Sequence, residues 1–367
     1  MRITQLDSQL LRLPLSRPAG IPGDDRRQRV DYVHFLAVHV DTEAGHRGFG
    51  FTYTLQGGGR ALKVLVEDDL APLIVGEDPL DHERLAAKAY WRLQGIGRGG
   101  LVSQAYSAVD LALWDLKGKA AGMPLYKLLG GARESAPVYA ADCGWAWMSA
   151  EEIVQSSRAY LDQGMMGISV AVGGNGPEAD AERLTSIREA LGEDAWLGVD
   201  AAQRYDYATA LSMGHFFEEE IGADWFADPI SCEDVEGHAR LAQRLEVPIA
   251  VGKALASTNE FARYLERGAA DILQPDVSRV GGLTAWLKVA TLGVQQHRPL
   301  SPHVPPEIGV HLACAVPAVR AVPYLSWFSV AFAESPPIAK GQMAPLPRPG
   351  LGLELRSDAV QKYRVPG

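Results

Sequence analysis

The chain has 367 residues, 47% hydrophobic and 22% charged, which is enough for two domains and a large core. Its 35 basic and 45 acidic residues give a net charge of -10 with no basic block, which argues against nucleic acid and anionic membranes as partners. The sequence lacks a signal peptide and a membrane-length apolar run, and its three scattered cysteines favour a reducing compartment, so we expect a cytoplasmic protein.

The N-terminal third predicts an α+β domain. The segment YVHFLAVHVDTEAGHRGFGFTY (32–53) alternates apolar and polar residues around a glycine-containing turn, as two neighbouring strands do. From about residue 59 to 130 the apolar spacing becomes helical, and SQAYSAVDLALWDLKGKAAG (103–122) ends with the helix-stop residues Gly122 and Pro124. We assign residues 1–127 to this domain.

The next part of the chain alternates strands and helices. Apolar runs end in polar residues at Asp200, Asp228, Lys253, Asp276 and His303, with steps of 28, 25, 23 and 27 residues that each hold one strand and one helix. At least seven such units without a dinucleotide fingerprint predict a (β/α) barrel over 128–335. The Pro/Gly-rich and then strand-like segment 336–367 is predicted to return to the first domain.

The polar strand ends are candidate site residues, because barrel enzymes place their chemistry at the carboxyl ends of the strands. They are Ser169, Asp200, Asp228, Lys253, Asp276 and His303. Asp276 and His303 follow consecutive strands and could hydrogen-bond, which would fix the imidazole tautomer and prepare a general base. The alternative is a surface histidine beside a chance aspartate.

Several long motifs resemble the enolase superfamily, in its mandelate racemase subgroup. They are SAVDLALWDLKGKAAGMPLYKLLGG, LGVDAAQ, DILQPDVSRVGGLTAW, SPHVPPEIGVHLA and PGLGLEL, and the similarity spans nearly the whole chain. The resemblance implies an α/β fold, a (β/α)7β barrel with an α+β capping domain. It also implies abstraction of a proton α to a carboxylate, with the enediolate held by Mg²⁺, and homo-oligomers. Asp276 and His303 match the positions of the subgroup's Asp–His base pair.

The sequence departs from the family pattern at the other site positions. Ser169 and Ala171 stand where members carry Lys-x-Lys, so the base on the opposite face is missing. A substrate-binding glutamate is also missing, and either Ser326 or Pro323 takes its place. We expect Ser169, Ser326 and Asp200 to contact the substrate.

The metal ligands are the third departure. Asp200 matches the first acidic ligand, Ala227 stands at the second beside Asp228, and Lys253 replaces the third. Because Mg²⁺ prefers several oxygen ligands and strong negative charge, tight binding in the family manner is not expected, and the protein is predicted to work without a cofactor. Asp228 as a replacement ligand is the alternative.

Lys253 has three possible roles. It could replace the metal by neutralising the substrate carboxylate, with Asp200 positioning it; it could form a Schiff base; or it could pair with Asp200 in a decayed, non-catalytic site. We predict the first: a lyase (hydro-lyase) or one-sided isomerase acting on a small hydroxy or sugar acid, with His303, Asp276 and Lys253 as catalytic residues. A non-catalytic carboxylate-binding homologue and a Mg²⁺-dependent dehydratase or racemase remain the alternatives.

Overall fold

The structure is a computed structural model that describes residues 1–20, 29–55 and 57–366. The chain begins with an antiparallel sheet of three strands in sequence order. As predicted, the alternating segment forms two of them, and both faces of the sheet carry buried apolar residues. The strands are β1 (Ile3–Gly20), β2 (Arg29–Thr42) and β3 (Arg47–Leu55).

Five helices complete the capping domain, and the longest packs directly on the sheet. Gly50 in β3 allows this close approach, because a Cβ atom there would lie 2.2 Å from the carbonyl oxygen of Ala108. A π-helical turn, Leu65–Leu70, joins the first two helices. The helices are α1 (Gly59–Val64), α2 (Ala71–Ile74), α3 (His82–Leu93), α4 (Leu101–Ala120) and α5 (Leu125–Leu128).

The middle of the chain forms a closed parallel barrel. Each barrel strand pairs with the next, Leu300 supplies the seventh position through bridges to both neighbours, and the last strand pairs with the first. The predicted (β/α)7β barrel is therefore confirmed. Its strands are β4 (Ala136–Ala140), β5 (Gly167–Ala171), β6 (Trp196–Asp200), β7 (Trp225–Ala227), β8 (Ile249–Val251), β9 (Ile272–Leu273) and β10 (Val322–Tyr324).

Seven helices surround the barrel. The second half of one, Phe217–Ile221, is π-helical, and a short 3₁₀ turn, Ser329–Ala331, follows the last barrel strand. The helices are α6 (Ala150–Leu161), α7 (Pro177–Leu191), α8 (Tyr207–Phe216), α9 (Val235–Arg244), α10 (Thr258–Glu266), α11 (Gly282–Gln295) and α12 (Pro306–Ala315).

The C-terminal segment differs in part from its prediction. A small hairpin, β11 (Ile338–Ala339) and β12 (Gln342–Met343), pairs with β4 of the barrel. The predicted final strand is instead a helix, α13 (Ser357–Tyr363), whose apolar residue Ala359 is buried. The chain then returns to the capping sheet, where the N–H of Val365 donates to the carbonyl of Leu10 at 2.9 Å.

Two buried carboxylates on α4 join the capping domain to the rest of the molecule. Asp110 accepts from the N–H and hydroxyl of Thr284, at 2.9 and 2.6 Å. Asp115 accepts from the N–H groups of Phe49 and Leu351, both at 2.7 Å. These hydrogen bonds fix the cap over the barrel. Within the described chain, no helix has the length and hydropathy to cross a membrane.

Candidate active site

A cavity of about 290 Å³ opens at the carboxyl ends of the barrel strands, under the capping sheet. This is the edge where barrel enzymes place their chemistry. Five of the six polar strand-end residues singled out in the sequence line it, and the sixth, Asp276, lies fully buried directly behind His303. The five are Ser169, Asp200, Asp228, Lys253 and His303.

Asp276 and His303 form the predicted pair. The two residues face each other across a parallel bridge, and Nδ1 of His303 lies 3.1 Å from Oδ2 of Asp276. Since a carboxylate accepts, this contact assigns the proton to Nδ1 and leaves Nε2 as the unprotonated nitrogen of the neutral ring. His303 also lines the cavity, so its geometry is that of a general base.

The Asp276 carboxylate is held by more donors than His303 alone. Oδ1 accepts from the N–H and hydroxyl of Ser278, at 2.8 and 2.6 Å. Oδ2 also accepts from the hydroxyl of Tyr53, at 3.0 Å. Burial removes water from this carboxylate, and these fixed donors replace it.

Lys253 enters the cavity because of the glycine before it. Gly252 directly follows β8 and has a φ of 131°, and a Cβ atom there would lie 2.6 Å from the ring of Phe261. The ammonium forms an ion pair with Oδ2 of Asp200 and lies 3.5 Å from Oδ2 of Asp228. Oδ1 of Asp200 accepts from the N–H of Ala202 at 2.9 Å.

The electrostatics of this cluster keep the lysine charged. Burial lowers the pKa of Lys253, but the charges of Asp200 and Asp228 outweigh burial, and the net shift is upward. Burial raises the pKa of Asp228, although the lysine opposes this. A raised lysine pKa disfavours the neutral amine that a Schiff base requires, so the arrangement favours an electrostatic role.

The strand positions on either side of Asp200 carry no further carboxylate for the Lys253 cluster. Asp200 pairs in register with Ala171 on one side and Ala227 on the other. Ala227 is fully buried among apolar residues of the barrel interior, so its methyl group stands where a second acidic ligand is expected. Ala171 and Ser169 on β5 provide no base on the face opposite His303, as the sequence predicted.

The donor set does not fit a Mg²⁺ ion. Two carboxylates face the mouth, and both already interact with the Lys253 ammonium, whereas Mg²⁺ needs octahedral oxygen coordination. Within the part of the chain that the structure describes, the three-ligand grouping of His, Cys, Asp or Glu lies elsewhere, at His215, Glu218 and Glu219.

Ser326 does not reach the cavity, so its predicted contact with substrate is not supported. Its N–H and hydroxyl donate to Oδ2 of Asp142, at 3.0 and 2.8 Å, and its hydroxyl lies 3.0 Å from that of Ser16. Side chains alternate in extended chain, so the flanking Leu325 and Trp327 line the cavity instead. Pro323, the alternative for this position, also lines it.

Sequence reasoning missed several residues of the cavity wall. Arg204 and Arg279 line it, as do Gln274 and Trp225, whose Oε1 and Nε1 atoms are buried without a hydrogen-bond partner in the structure. Arg279 and Gln274 lie within three residues of Asp276, inside a motif quoted for the resemblance. Proximity to that motif was the signal available, but it could not show which side chains point inwards.

Backbone strain is concentrated at the same place. Five non-glycine residues in the described ranges have positive φ, and three of them line the cavity. They are Ala202 (46°), Gln203 (66°) and Asp228 (42°). Such conformations cost roughly 1–3 kcal/mol each and persist where the surroundings impose them, often at functional sites.

Cys143, Trp145 and Trp147 follow the first barrel strand, β4, at a position from which side chains can line the cavity. Trp145 lines the cavity, whereas Trp147 donates to the carbonyl of Pro18 at 3.2 Å and is not among the lining residues. Cys143 is fully buried, and burial raises the pKa of its thiol to about 12, which opposes a nucleophilic role. In the charged segment SRPAGIPGDDRRQRVDY (16–32), which corresponds to the loop that closes over the substrate in the family, Arg26 and Arg27 lie outside the described residues, and Arg17 is not among the lining residues.

The fold and the site together are those of a barrel enzyme, with a hydrogen-bonded Asp–His pair at two neighbouring strand ends and a charged cluster opposite. Two family models match the chain. Residues 20–130 match the mandelate racemase / muconate lactonizing enzyme N-terminal domain, and residues 152–359 match the enolase C-terminal domain-like family. The chain belongs to the mandelate racemase / muconate lactonizing enzyme group of the enolase superfamily, as its motifs predicted.

Named relatives cover almost the full chain. The chain is 34% identical to L-talarate/galactarate dehydratase of Salmonella typhimurium, over 98% of this chain and 90% of that protein. It is 31% identical to 3,6-anhydro-alpha-L-galactonate cycloisomerase of Streptomyces coelicolor, over 99% of both. The family thus contains enzymes named as dehydratases and cycloisomerases, in agreement with the prediction of a lyase or isomerase.

Solved structures agree with this placement. The crystal structure of L-talarate dehydratase from Polaromonas sp. JS666, complexed with Mg and L-glucarate, superposes with a TM-score of 0.93 at 36% identity, covering 100% of this chain and 98% of that one. Magnesium is therefore present in a relative with nearly the same backbone. The side chains at the mouth, not the fold, must decide whether this chain binds it.

Proposed function

We propose that this protein is an acid-sugar or hydroxy-acid lyase, a hydro-lyase or one-sided isomerase, in which His303 abstracts the proton α to the substrate carboxylate. The observation that carries the proposal is the Nδ1–Oδ2 contact of 3.1 Å between His303 and the buried Asp276. It leaves Nε2 available to accept a proton and places a negative charge behind the ring to stabilise the imidazolium that forms.

Lys253 supplies positive charge on the other side of the cavity. Abstraction of the α-proton places a second negative charge on the substrate carboxylate, and a cation aimed at those oxygens lowers the barrier because it acts most strongly on the enediolate. Asp200 holds the ammonium in place. We propose that Lys253 takes over the charge-neutralising role, and that the reaction does not use Mg²⁺.

One base is sufficient for dehydration. The proton moves from the α-carbon to Nε2 of His303, the bond between the β-carbon and its hydroxyl breaks, and the same proton leaves with that hydroxyl as water. The enol product then becomes a 2-keto acid by tautomerisation. Racemisation normally uses a base on each face, and Ser169 and Ala171 offer none on the opposite strand.

The cavity wall suits a polyhydroxylated acid. The unpartnered Gln274 Oε1 and Trp225 Nε1 supply one acceptor and one donor for substrate hydroxyls. The flat faces of the Trp145 and Trp327 rings, stacked with centroids 6.0 Å apart, provide apolar wall area. The names of the relatives, which include talarate, galactarate and arabinonate dehydratases, support the same substrate class.

The proposal is tested by incubating EDTA-treated protein with a panel of aldonic, aldaric and simple 2-hydroxy acids in deuterium oxide. We expect at least one acid to lose its α-proton to solvent and to yield a 2-keto product. No exchange and no product with any acid would favour a non-catalytic carboxylate-binding protein. Activity that requires restored Mg²⁺ would favour the metal-dependent alternative, with Asp228 as replacement ligand.

We also propose that the protein is a cytoplasmic homo-oligomer, as the family resemblance suggests, with domain limits at 127/128 and 335/336. Light scattering coupled to size-exclusion chromatography measures the oligomeric state, and a single 39.6 kDa species would contradict a homo-oligomer. Limited proteolysis with mass mapping tests the limits.

A further inference from the structure

Asp276 serves two elements at once. Tyr53 of the capping strand β3 and His303 of the barrel both bind the same oxygen, Oδ2, at 3.0 and 3.1 Å. Ser278 occupies the other oxygen, Oδ1. The capping domain therefore contributes a hydroxyl to the base itself, in addition to covering the cavity.

We propose that Tyr53 is a positioning residue that sets the basicity and orientation of His303 by competing for Oδ2 of Asp276. This inference rests on the proposed role of His303. Each hydrogen bond that a carboxylate oxygen accepts withdraws negative charge from it. With Tyr53 bound, Oδ2 stabilises the imidazolium less, so His303 gives up its proton more readily for the second half of the reaction.

The position of Tyr53 is fixed from several directions. Its side chain is 2% exposed, and its ring lies edge-on to Trp327 at 5.9 Å. Gln104 donates to its carbonyl at 3.2 Å, and the neighbouring Thr52 donates to the carbonyl of Ser278 at 2.8 Å. These contacts hold β3 on the loop that follows Asp276, so the hydroxyl cannot swing away without breaking them.

The hydroxyl acts as a constant donor. Burial and the adjacent Asp276 raise the pKa of Tyr53 well above its usual value, although Arg279 opposes this. The other charged groups that face the pair are Asp228, whose charge interacts with His303, and Lys253, which shares the cavity. None of these donates to Oδ2 of Asp276 in the described structure, so removal of the Tyr53 hydroxyl takes one donor from that oxygen, together with the hydroxyl's interaction with Arg279.

The test is Tyr53→Phe, with Tyr264→Phe as the matched control. Tyr264 is equally buried, and its hydroxyl donates to the carbonyl of Cys232 at 2.9 Å, on the outside of the barrel. Ring-nitrogen NMR follows the titration of His303, whose signals are those missing from the His303→Asn spectrum. We expect the His303 midpoint to rise by roughly 0.5–1 pH unit in Tyr53→Phe, since one unit is about 1.4 kcal/mol, and to stay fixed in Tyr264→Phe.

Enzyme kinetics compare the same two variants, Tyr53→Phe and Tyr264→Phe. In the pH profile of kcat/KM, the acidic limb of Tyr53→Phe should move to higher pH by the same amount, with the alkaline plateau lowered by about tenfold or less. An unmoved His303 midpoint with a melting temperature lowered as in Tyr264→Phe would overturn the proposal and leave Tyr53 a packing residue. The NMR arm needs no substrate, so a failure of the proposed reaction can be told apart from a failure of this inference.

Discussion

The two sides of the barrel mouth use buried carboxylates in opposite ways. Asp276 is surrounded by N–H and O–H donors and holds the His303 imidazole at the cavity wall. Asp200 and Asp228 face a permanent ammonium and hold a charge there. Under the proposed function, the first arrangement receives the proton and the second stabilises negative charge. The comparison shows an Asp–His pair at the positions expected from the family and, across the cavity, a lysine where the family pattern has an acidic residue.

The largest effect is expected when His303 is replaced. His303→Asn should abolish exchange of the substrate α-proton, because a positioned general base is worth about 100- to 10,000-fold. Exchange in deuterium oxide followed by proton NMR measures it. His297→Asn is the matched control: His297 is exposed and has a φ of 55°, a conformation that Asn tolerates. Near wild-type exchange in His303→Asn would show that another residue is the base.

The second prediction breaks the lysine side. Lys253→Met should lower kcat by on the order of a few hundred-fold if the ammonium stabilises the enediolate, as for a lost oxyanion donor. It should also destabilise the fold by roughly 3 kcal/mol, because Asp200 and Asp228 then face each other without a cation. Kinetics and urea unfolding measure the two effects separately.

The double variant Lys253→Met with Asp200→Asn distinguishes a catalytic lysine from a structural one. Removal of the Asp200 charge should restore much of the stability without restoring turnover. Full kcat in either variant would contradict the catalytic role of Lys253, and it would leave the ion pair as a filler of the vacated metal position.

The third prediction converts the lysine side back to the family pattern. In the wild type, millimolar Mg²⁺ should not raise the melting temperature. Ala227→Glu combined with Lys253→Glu places carboxylates on β7 and after β8 beside Asp200, and Mg²⁺ should then stabilise the variant by about 2.7 kcal/mol at one hundred times Kd. The melting temperature with and without EDTA measures this stabilisation. A Ca²⁺-free buffer in which Na⁺ replaces Mg²⁺ at the same ionic strength is the control. A shift in the wild type would show that Asp200 and Asp228 suffice.

The smallest effect is expected at Glu307, a second buried carboxyl that, unlike Asp276, has an oxygen without a hydrogen-bond partner. Glu307 on α12 is 3% exposed, its Oε2 has no hydrogen-bond partner in the structure, and burial raises its pKa to about 8. The folded state then binds a proton that the unfolded state releases above pH ~4.3, so this group makes stability fall as pH rises towards 8.

Glu307→Gln should remove that dependence, which is at most about 1.4 kcal/mol per pH unit. Urea unfolding between pH 6 and 8 measures it, and the exposed Glu220→Gln is the matched control. An unchanged slope in Glu307→Gln would mean that the carboxyl is ionised in the folded protein and finds a partner or water.

The sequence predicted the fold and the contact between Asp276 and His303, because both depend on local patterns. Strand ends at steps of 23 to 28 residues required a barrel, and a barrel brings Asp276 and His303 to neighbouring strands. The same pattern predicted Lys253 at the mouth. One error was local as well: the family resemblance placed Ser326 in the cavity, with Pro323 as the alternative, but side-chain alternation turns Ser326 towards Asp142.

The sequence by itself predicted the two-domain architecture, the Asp276–His303 pair and the absence of two acidic side chains at positions where the family carries metal ligands, since each follows from residue type and position along the chain. Tertiary structure decided the rest. Only folding brings Tyr53 from the cap within 3.0 Å of Asp276, more than two hundred residues later, and only folding places Asp200 and Asp228 around one ammonium. These contacts depend on the direction in which each side chain points after two domains pack, and no spacing rule along the chain encodes that direction.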